Sequence, residues 1–348
     1  GKIMKKYIVR CLYFLLFLFS AAGCNIKNQW GNPVGGALNE ILVVTDEAIW
    51  KGGIGDSIKA FFCQPMFGLP QPEPIFKVIS VSKEYFVRSL KSHRAILKID
   101  VDVSLDTAYA VSVLKNTWAT GQNMFEIRIK DSLGFQAFFE KYRYSLISLF
   151  LDAEKKRLVR LYRMNADTTI FRHMKQKYDV ELSAPSGYYI RKDSADFVWM
   201  SLETVRNSRG VVFFQKEYVD EKQFDKQDII RTLSRELSRH IPGPRAGSYM
   251  ILDTVTPIMV EHFTYDRKYY AMNLRGMWTV HNDFMGGPAT ANIVLDTEKG
   301  RILYVMGYVY APDEKKRNYL HQVNSVVNTL ELGEKGKKKE RTIENPEK

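Results

Sequence analysis

The chain has 348 residues, 45% of them apolar and 26% charged, with a formal net charge of +12. That composition excludes a disordered or collagen-like chain, and the length suffices for two domains of ordinary size. The charge overstates the basicity: Lys2, Lys5, Lys6 and Arg10 sit at the extreme N-terminus and leave +8 beyond them, with no zinc-finger, RNP-like or basic-helix pattern, so no nucleic-acid partner is expected.

From the expected start at Met4, Lys5, Lys6 and Arg10 precede the apolar run Cys11 to Phe19, and Ser20-Ala21-Ala22-Gly23 lead into Cys24. This order is that of a secretory signal peptide, over residues 1–23. The run is well short of the roughly 20 apolar residues of a transmembrane helix. Its end resembles a bacterial lipobox. The resemblance implies that Cys24 is lipidated, becomes the first mature residue and makes the membrane a partner through a lipid anchor. No Asp and no acidic run follows Cys24, which resembles sorting to the periplasmic face of an outer membrane rather than to the cell surface. Cys11 would leave with the signal and Cys24 would be acylated. Cys63 then stands alone, so no internal disulfide is expected. Following Phe61-Phe62, it is expected to be buried.

Residues 24–38 carry Gly, Pro and Asn without periodicity and read as a tether. Residues 39–175 form an expected N-terminal α+β domain. Glu40 to Thr45 fits a buried strand. Lys51 to Ser57 is a glycine-rich loop opening a helix to about Cys63, with Asp56 or Ser57 as its cap. Its spacing matches neither dinucleotide nor P-loop patterns. Four prolines make Pro65 to Pro74 irregular. Strands are expected at Lys77 to Val81, Ala95 to Val103 and Met124 to Ile129. Asp106 to Thr117 is ambiguous, and a helix is expected to end near His93-Arg94. Asp131 or Ser132 caps a long helix with Phe135, Phe138, Phe139, Tyr142, Leu146, Leu149 and Phe150 on its apolar side. Leu158, Leu161, Tyr162, Ile170 and Met174 continue the helical spacing to about Tyr178, with a break near Asp167.

Residues 176–332 change pattern. Strands are expected at Phe197 to Leu202, Gly210 to Lys216, Val260 to Tyr265, Tyr269 to Val280, Ala289 to Asp296 and Arg301 to Tyr310. Asp228 is expected to cap a helix that buries Ile229, Ile230, Leu233, Leu237 and Ile241 and turns Arg231, Arg235 and Arg239 outward. Lys316 to Leu330 is a last amphipathic helix. Residues 333–348 are Lys/Glu-rich and expected to be disordered. The fold class is α+β: mixed or antiparallel sheets covered by helices, the C-terminal half an α/β sandwich with a mainly antiparallel sheet. Its element order resembles the PsbP/Mog1 type of sandwich.

Several strings resemble a further family: Gly68-Leu69-Pro70-Gln71-Pro72-Glu73-Pro74, His93-Arg94, Ile241-Pro242-Gly243-Pro244 with Gly247-Ser248-Tyr249-Met250, Leu274-Arg275-Gly276-Met277-Trp278, Met285-Gly286-Gly287-Pro288, and Gly307-Tyr308-Val309-Tyr310-Ala311-Pro312. Over about residues 39–330 the chain is similar to a family of Bacteroidota lipoproteins catalogued only as a domain of unknown function. The resemblance implies class and compartment, and no activity.

No HExxH, paired CxxC, GxSxG or EF-hand pattern occurs, and none of the six His stand four apart. No metal or cofactor is expected. The stretch Arg275 to Pro288 stands out. On a strand, Leu274, Gly276 and Trp278 share one face, and Asn273, Arg275 and Met277 the other. The following turn brings His281, Asp283, Gly286 and Gly287 near the strand's end. One reading is a ligand or peptide pocket, with Arg275 gripping an anion and Trp278 offering a flat apolar surface; Arg94 is a further binding candidate. The plainer reading is an Arg bonded to carbonyls or to Asp283, a core Trp, and glycines serving positive φ. Without a nucleophile motif, the expected function is non-catalytic: an envelope lipoprotein that binds a protein, peptide or envelope polymer. The alternative is a hydrolase acting on envelope lipid or glycan.

Overall fold

Residues 33–333 are described by a computed structural model. The expected signal sequence, Cys24, most of the expected tether and the residues from 334 lie outside them. The first sheet has β1 (Glu40–Val44), β2 (Lys77–Val81), β3 (Ala95–Val101), β4 (Tyr109–Lys115) and β5 (Asn123–Ile129) in the order β2-β1-β3-β5-β4. The first four in that order are mutually parallel and only β4 runs antiparallel, on the edge. Parallel strands are buried on both faces and read as continuous apolar runs. EILVV of β1 is buried at every position for that reason.

Helices α1 (Glu47–Trp50) and α2 (Gly53–Phe62) follow β1. The extended Gly52, not Asp56 or Ser57, is the N-cap of α2, so the helix starts earlier than its side chains suggest. A Cβ on Gly55 would fall 1.9 Å from the Trp50 carbonyl oxygen, and this close turn needs glycine. Cys63 is exposed, contrary to expectation. It lies one residue past the helix, and Phe62 takes the buried position. After the short α3 (Arg88–Lys91) and the sheet comes α4 (Ser132–Met164), whose N-cap Asp131 accepts from the Gly134 N–H. Its first half and middle bury Phe135, Phe138 and Phe150 on the sheet, while Tyr162 and Leu158 near its end join the core of the C-terminal half of the chain. One helix therefore serves two cores.

The chain breaks at Asp167, which caps α5 (Thr168–Tyr178) through the Thr169 and Ile170 N–H groups. A two-stranded piece, β6 (Val180–Glu181) with β15 (Glu331–Leu332), follows. The large sheet comprises β7 (Tyr189–Asp193), β8 (Phe197–Glu203), β9 (Ser208–Glu217), β10 (Tyr249–Leu252), β12 (Tyr269–His281), β13 (Gly286–Asp296) and β14 (Arg301–Tyr310), in the order β10-β12-β13-β14-β9-β8-β7. β11 (Met259–Tyr265) pairs with the other end of β12. All these pairs are antiparallel. Helix α6 (Lys226–His240) covers one face with Ile229, Leu233 and Leu237. Asp225 precedes α6, so Asp228 lies in its first turn and pairs with Arg231 instead of capping it. Helices α5 and α7 (Arg317–Val327) cover the other face with Ile170, Met174, Val326 and Val327. Alternation along β14 divides the faces: Leu303 and Val305 toward α5 and α7, Ile302, Tyr304 and Met306 toward α6. The chain is α+β, with a mixed first sheet and an antiparallel second sheet between helices.

The two sheets are joined at α7. Met66 of the proline-rich loop packs with Val309, Ala311, Leu320 and Val323. Glu73 of the same loop accepts from the Lys316 N–H at 2.5 Å and the Arg317 N–H at 3.2 Å. A carboxylate from one half thus satisfies amide groups opening a helix of the other, where the helix dipole favours negative charge.

Candidate functional site

The stretch Arg275 to Pro288 resolves into a tight hairpin. Trp278 is 3% exposed and donates from Nε1 to the Val309 carbonyl at 3.1 Å, inside the core under α6. It offers no flat surface to a ligand. His281 is exposed and stacks on Tyr249 across the strand pair, ring centroids 4.8 Å apart. Asp283 pairs with Arg245 at 3.2 Å, not with Arg275. Gly286 and Gly287 are strand residues without positive φ. Gly287 is needed for close approach, since a Cβ there would meet the Val309 oxygen at 2.0 Å.

Arg275 points to the opposite face from Trp278, where α7 crosses the sheet over a polar row. Thr290 and Asn292 are fully buried there and bond to Asn324 of α7 and to Asn328, which caps its C-terminus. Gly68, at φ +80, passes over Arg275 so closely that a Cβ would lie 3.1 Å from its Cγ. Arg275 Nε and His321 Nε2 are buried without hydrogen-bond partners. Burial lowers the pKa of Arg275, against the charge of Glu261. Burial, then the charges of Arg275 and Arg317, push His321 down to about 3. Arg275 is therefore a partly buried residue at the junction of the two halves, with its Nε covered.

Arg94 belongs to a different place. His93, 4% exposed, spans from the Ala95 backbone to Glu40. Burial lowers its pKa, against the hydrogen bond to Glu40. Burial resists ionisation of Glu40, yet the bonds from Lys77, the Ala37 N–H and His93 outweigh it and hold its pKa below the ordinary carboxylate value. His93 thereby fixes the start of β3, and Arg94 next to it reaches α4. Its guanidinium donates to Glu154 at 3.1 Å and to the Gly35 carbonyl at 3.3 Å. Glu154 is 1% exposed and also holds Arg157, whose second contact is the Gly121 carbonyl. Gly121, at φ +86, lies against the Arg157 side chain. The result is a carboxylate clamped between two guanidiniums.

This clamp forms part of the wall of a pocket of about 670 Å³ between α4, the β4–β5 edge and the arriving segment Pro33-Val34. That volume is in the range of ligand sites. Five basic side chains and two acidic ones line it. Lys115 and Lys156 have no ion pair among the described residues, and Arg157 Nε is buried without a partner. Leu149 and Leu161, expected in the core, are 42% and 49% exposed and face this pocket. A second cavity, of about 800 Å³, lies between α1–α2 and the start of α4, with Ile54, Phe61 and Phe139 in its wall. Glu140 and Arg143 line it and Arg143 Nε is buried without a partner, but among the described residues it holds no counterpart of the buried Glu154 carboxylate with its two guanidiniums, so the pocket at Arg94 is the better candidate. Of the binding candidates singled out in the sequence, only Arg94 lines it; Lys115, Glu154, Lys156 and Arg157 carried no motif. The readable signal was the placement of Leu149, Ala153, Arg157, Leu161 and Met164 along one side of α4.

Residues 34–163 match the family model described as a domain of unknown function (DUF8532), and residues 167–329 match one described as a domain of unknown function (DUF4837). The two segments meet at the turn between α4 and α5. Among solved structures, a point mutant of the protein Mog1 is 9% identical with a TM-score of 0.27, covering 45% of this chain and 92% of its own. LpqN, described as involved in cell envelope biogenesis of Mycobacterium tuberculosis, is 11% identical with a TM-score of 0.27, covering 43% of this chain and 81% of its own. Both likenesses are distant. No curated protein matches the chain.

Proposed function

We propose that the chain is a Bacteroidota outer-membrane lipoprotein, held by Cys24 at the periplasmic face, which binds an envelope partner in the α4 pocket without transforming it. The anchor rests on the basic, apolar, small-residue order that ends at Cys24. No helix among the described residues is long and apolar enough to cross a membrane, a statement that leaves β-barrels aside. The observation that carries the binding reading is the clamp itself. The buried Glu154 is engaged by Arg94 and Arg157, so its carboxylate organises basic groups around the pocket. Convergent polar groups in a largely apolar concavity are the usual make-up of a binding site. The test is crosslinking with pull-down from intact envelopes, comparing the wild type with a Lys115→Glu/Lys156→Glu double variant. Both lysines are exposed, so the fold should survive. Loss of capture supports the reading, and unchanged capture contradicts it.

A further inference from the structure

We propose that the α4 pocket takes an anionic single-chain amphiphile, its tail along Leu149, Leu161 and Met164 and its acidic head at Lys115, Lys156 and Arg157. The inference rests on the reading of this pocket as the binding site and names the ligand class.

Shape comes first. Leu149, Ala153, Arg157, Leu161 and Met164 follow one side of α4. At a rise of 1.5 Å per residue, that side runs for about 22 Å. Arg157 stands about 12 Å along it, so the head sits midway and the tail folds within the concavity over the apolar side chains that flank it.

The apolar surface points the same way. Leu149, Leu161, Met164 and Val113 are 42%, 49%, 54% and 49% exposed, and all four line one pocket. Scattered apolar residues on a surface need no explanation, but several in one concavity mark a site for an apolar group. Val113 and Lys115, two apart on the edge strand β4, present an apolar and a basic group on one side of the sheet.

Charge selects the head group. Arg94 and Arg157 share a single carboxylate, Glu154, and Asp152 is paired with Lys155 outside the pocket wall. Lys115 and Lys156 then add positive charge with no partner among the described residues. The pocket favours an anion, and its donors suit a carboxylate or phosphate head. An acidic polypeptide would use the charge and leave the apolar surface uncovered.

The position of the pocket fits a ligand drawn from a membrane. Pro33 and Val34 line it, and Cys24 lies nine residues earlier. An extended chain of that length spans at most about 30 Å. With Cys24 anchored, the pocket stays within that reach of the bilayer surface.

The test is titration of the purified full chain with a fluorescent fatty acid, 11-(dansylamino)undecanoic acid, followed by displacement. We expect saturable binding at one site, displaced by palmitate. Methyl palmitate should compete at least tenfold less well for want of a charge, and acetate should not compete for want of a tail. Leu161→Glu and Lys156→Glu should each weaken binding at least tenfold with unchanged melting, since both positions are exposed. Val255→Glu, at an exposed position outside the pocket, should bind normally. Absence of saturable binding, or equal binding by all three variants, overturns the inference. Displacement by polyglutamate together with indifference to palmitate also overturns it, and points to an acidic polymer. In those cases, capture of a partner from envelopes that is lost in the Lys115→Glu/Lys156→Glu variant preserves the reading of the pocket as a binding site. Loss of both overturns both.

Discussion

Glu154 holds two guanidiniums from a position 1% exposed, so the three groups stand or fall together. Removing its charge leaves Arg94 and Arg157 facing each other without a counter-ion. Glu154→Ala should cost roughly 3–5 kcal/mol, the range for breaking a buried ion pair from one side. Urea denaturation of the variant and wild type measures it. His321 supports a prediction on pH. Its folded pKa is depressed to about 3 by burial and by Arg275 and Arg317, while the unfolded value is near 6.5. Between those values the unfolded chain holds a proton that the folded chain lacks, so stability falls as pH falls. The slope from this group is at most about 1.4 kcal/mol per pH unit. It should disappear in His321→Asn when stability is measured from pH 7 to pH 4. Little of this chemistry was legible in the sequence. Arg94 could be singled out, but its partner lies 60 residues away on α4. Arg275 looked destined for Asp283 by proximity in the chain, whereas the fold gives Asp283 to Arg245 and covers Arg275 with Gly68.

Elements were more legible than contacts, because periodicity is a local property. Helix α4, its Asp131 cap and the break at Asp167 follow from spacing and capping chemistry. So do β8, β9, β12 and β14. β7 and β10 were not foreseen: YIRKD of β7 is mostly polar, and β10 has only four residues, so neither gives a clear pattern. The glycines of β13 were misassigned to a turn because sequence cannot separate a need for positive φ from a need for close approach. In Gly287 the second applies. Gly287→Ala should therefore force β13 away from Val309 and cost roughly 1–3 kcal/mol or more through overpacking, read as a lowered melting temperature. Glu73 acts on an element from outside it. Glu73→Ala strips the Lys316 and Arg317 amides of their acceptor, and a loss of about 1–3 kcal/mol is expected. Hydrogen exchange should locate the effect in the first turn of α7, and a uniform effect across the chain would argue against the cap.

In the whole molecule, a half with a mixed, mostly parallel sheet and an antiparallel half share α4 and meet at α7. That arrangement fixes the pocket: the first sheet supplies Arg94 and Lys115, and α4, held at both ends by different cores, supplies Glu154, Lys156 and Arg157. The order of predicted helices and strands pointed to the class of fold, but the pocket needed the tertiary crossing of α4 over β4 and β5. The N-terminal segment adds a prediction for the protein in its cell. Cys24→Ala should move the protein from the membrane fraction to the soluble periplasmic fraction. Retention in the membrane, with no acyl mass on the wild type, would contradict the anchor.

If the α4 pocket is where the envelope partner binds, a photocrosslinking amino acid placed in its wall must capture that partner in the living cell. Leu161 is the position for it, and Val255, 94% exposed and outside the pocket, is the comparison. Irradiation of intact cells followed by mass spectrometry reads the adducts. A discrete adduct is expected from position 161 that is absent at 255 and is lost when Lys115 and Lys156 are changed to Glu. No adduct at 161, or the same adducts at both positions, would contradict binding in this pocket.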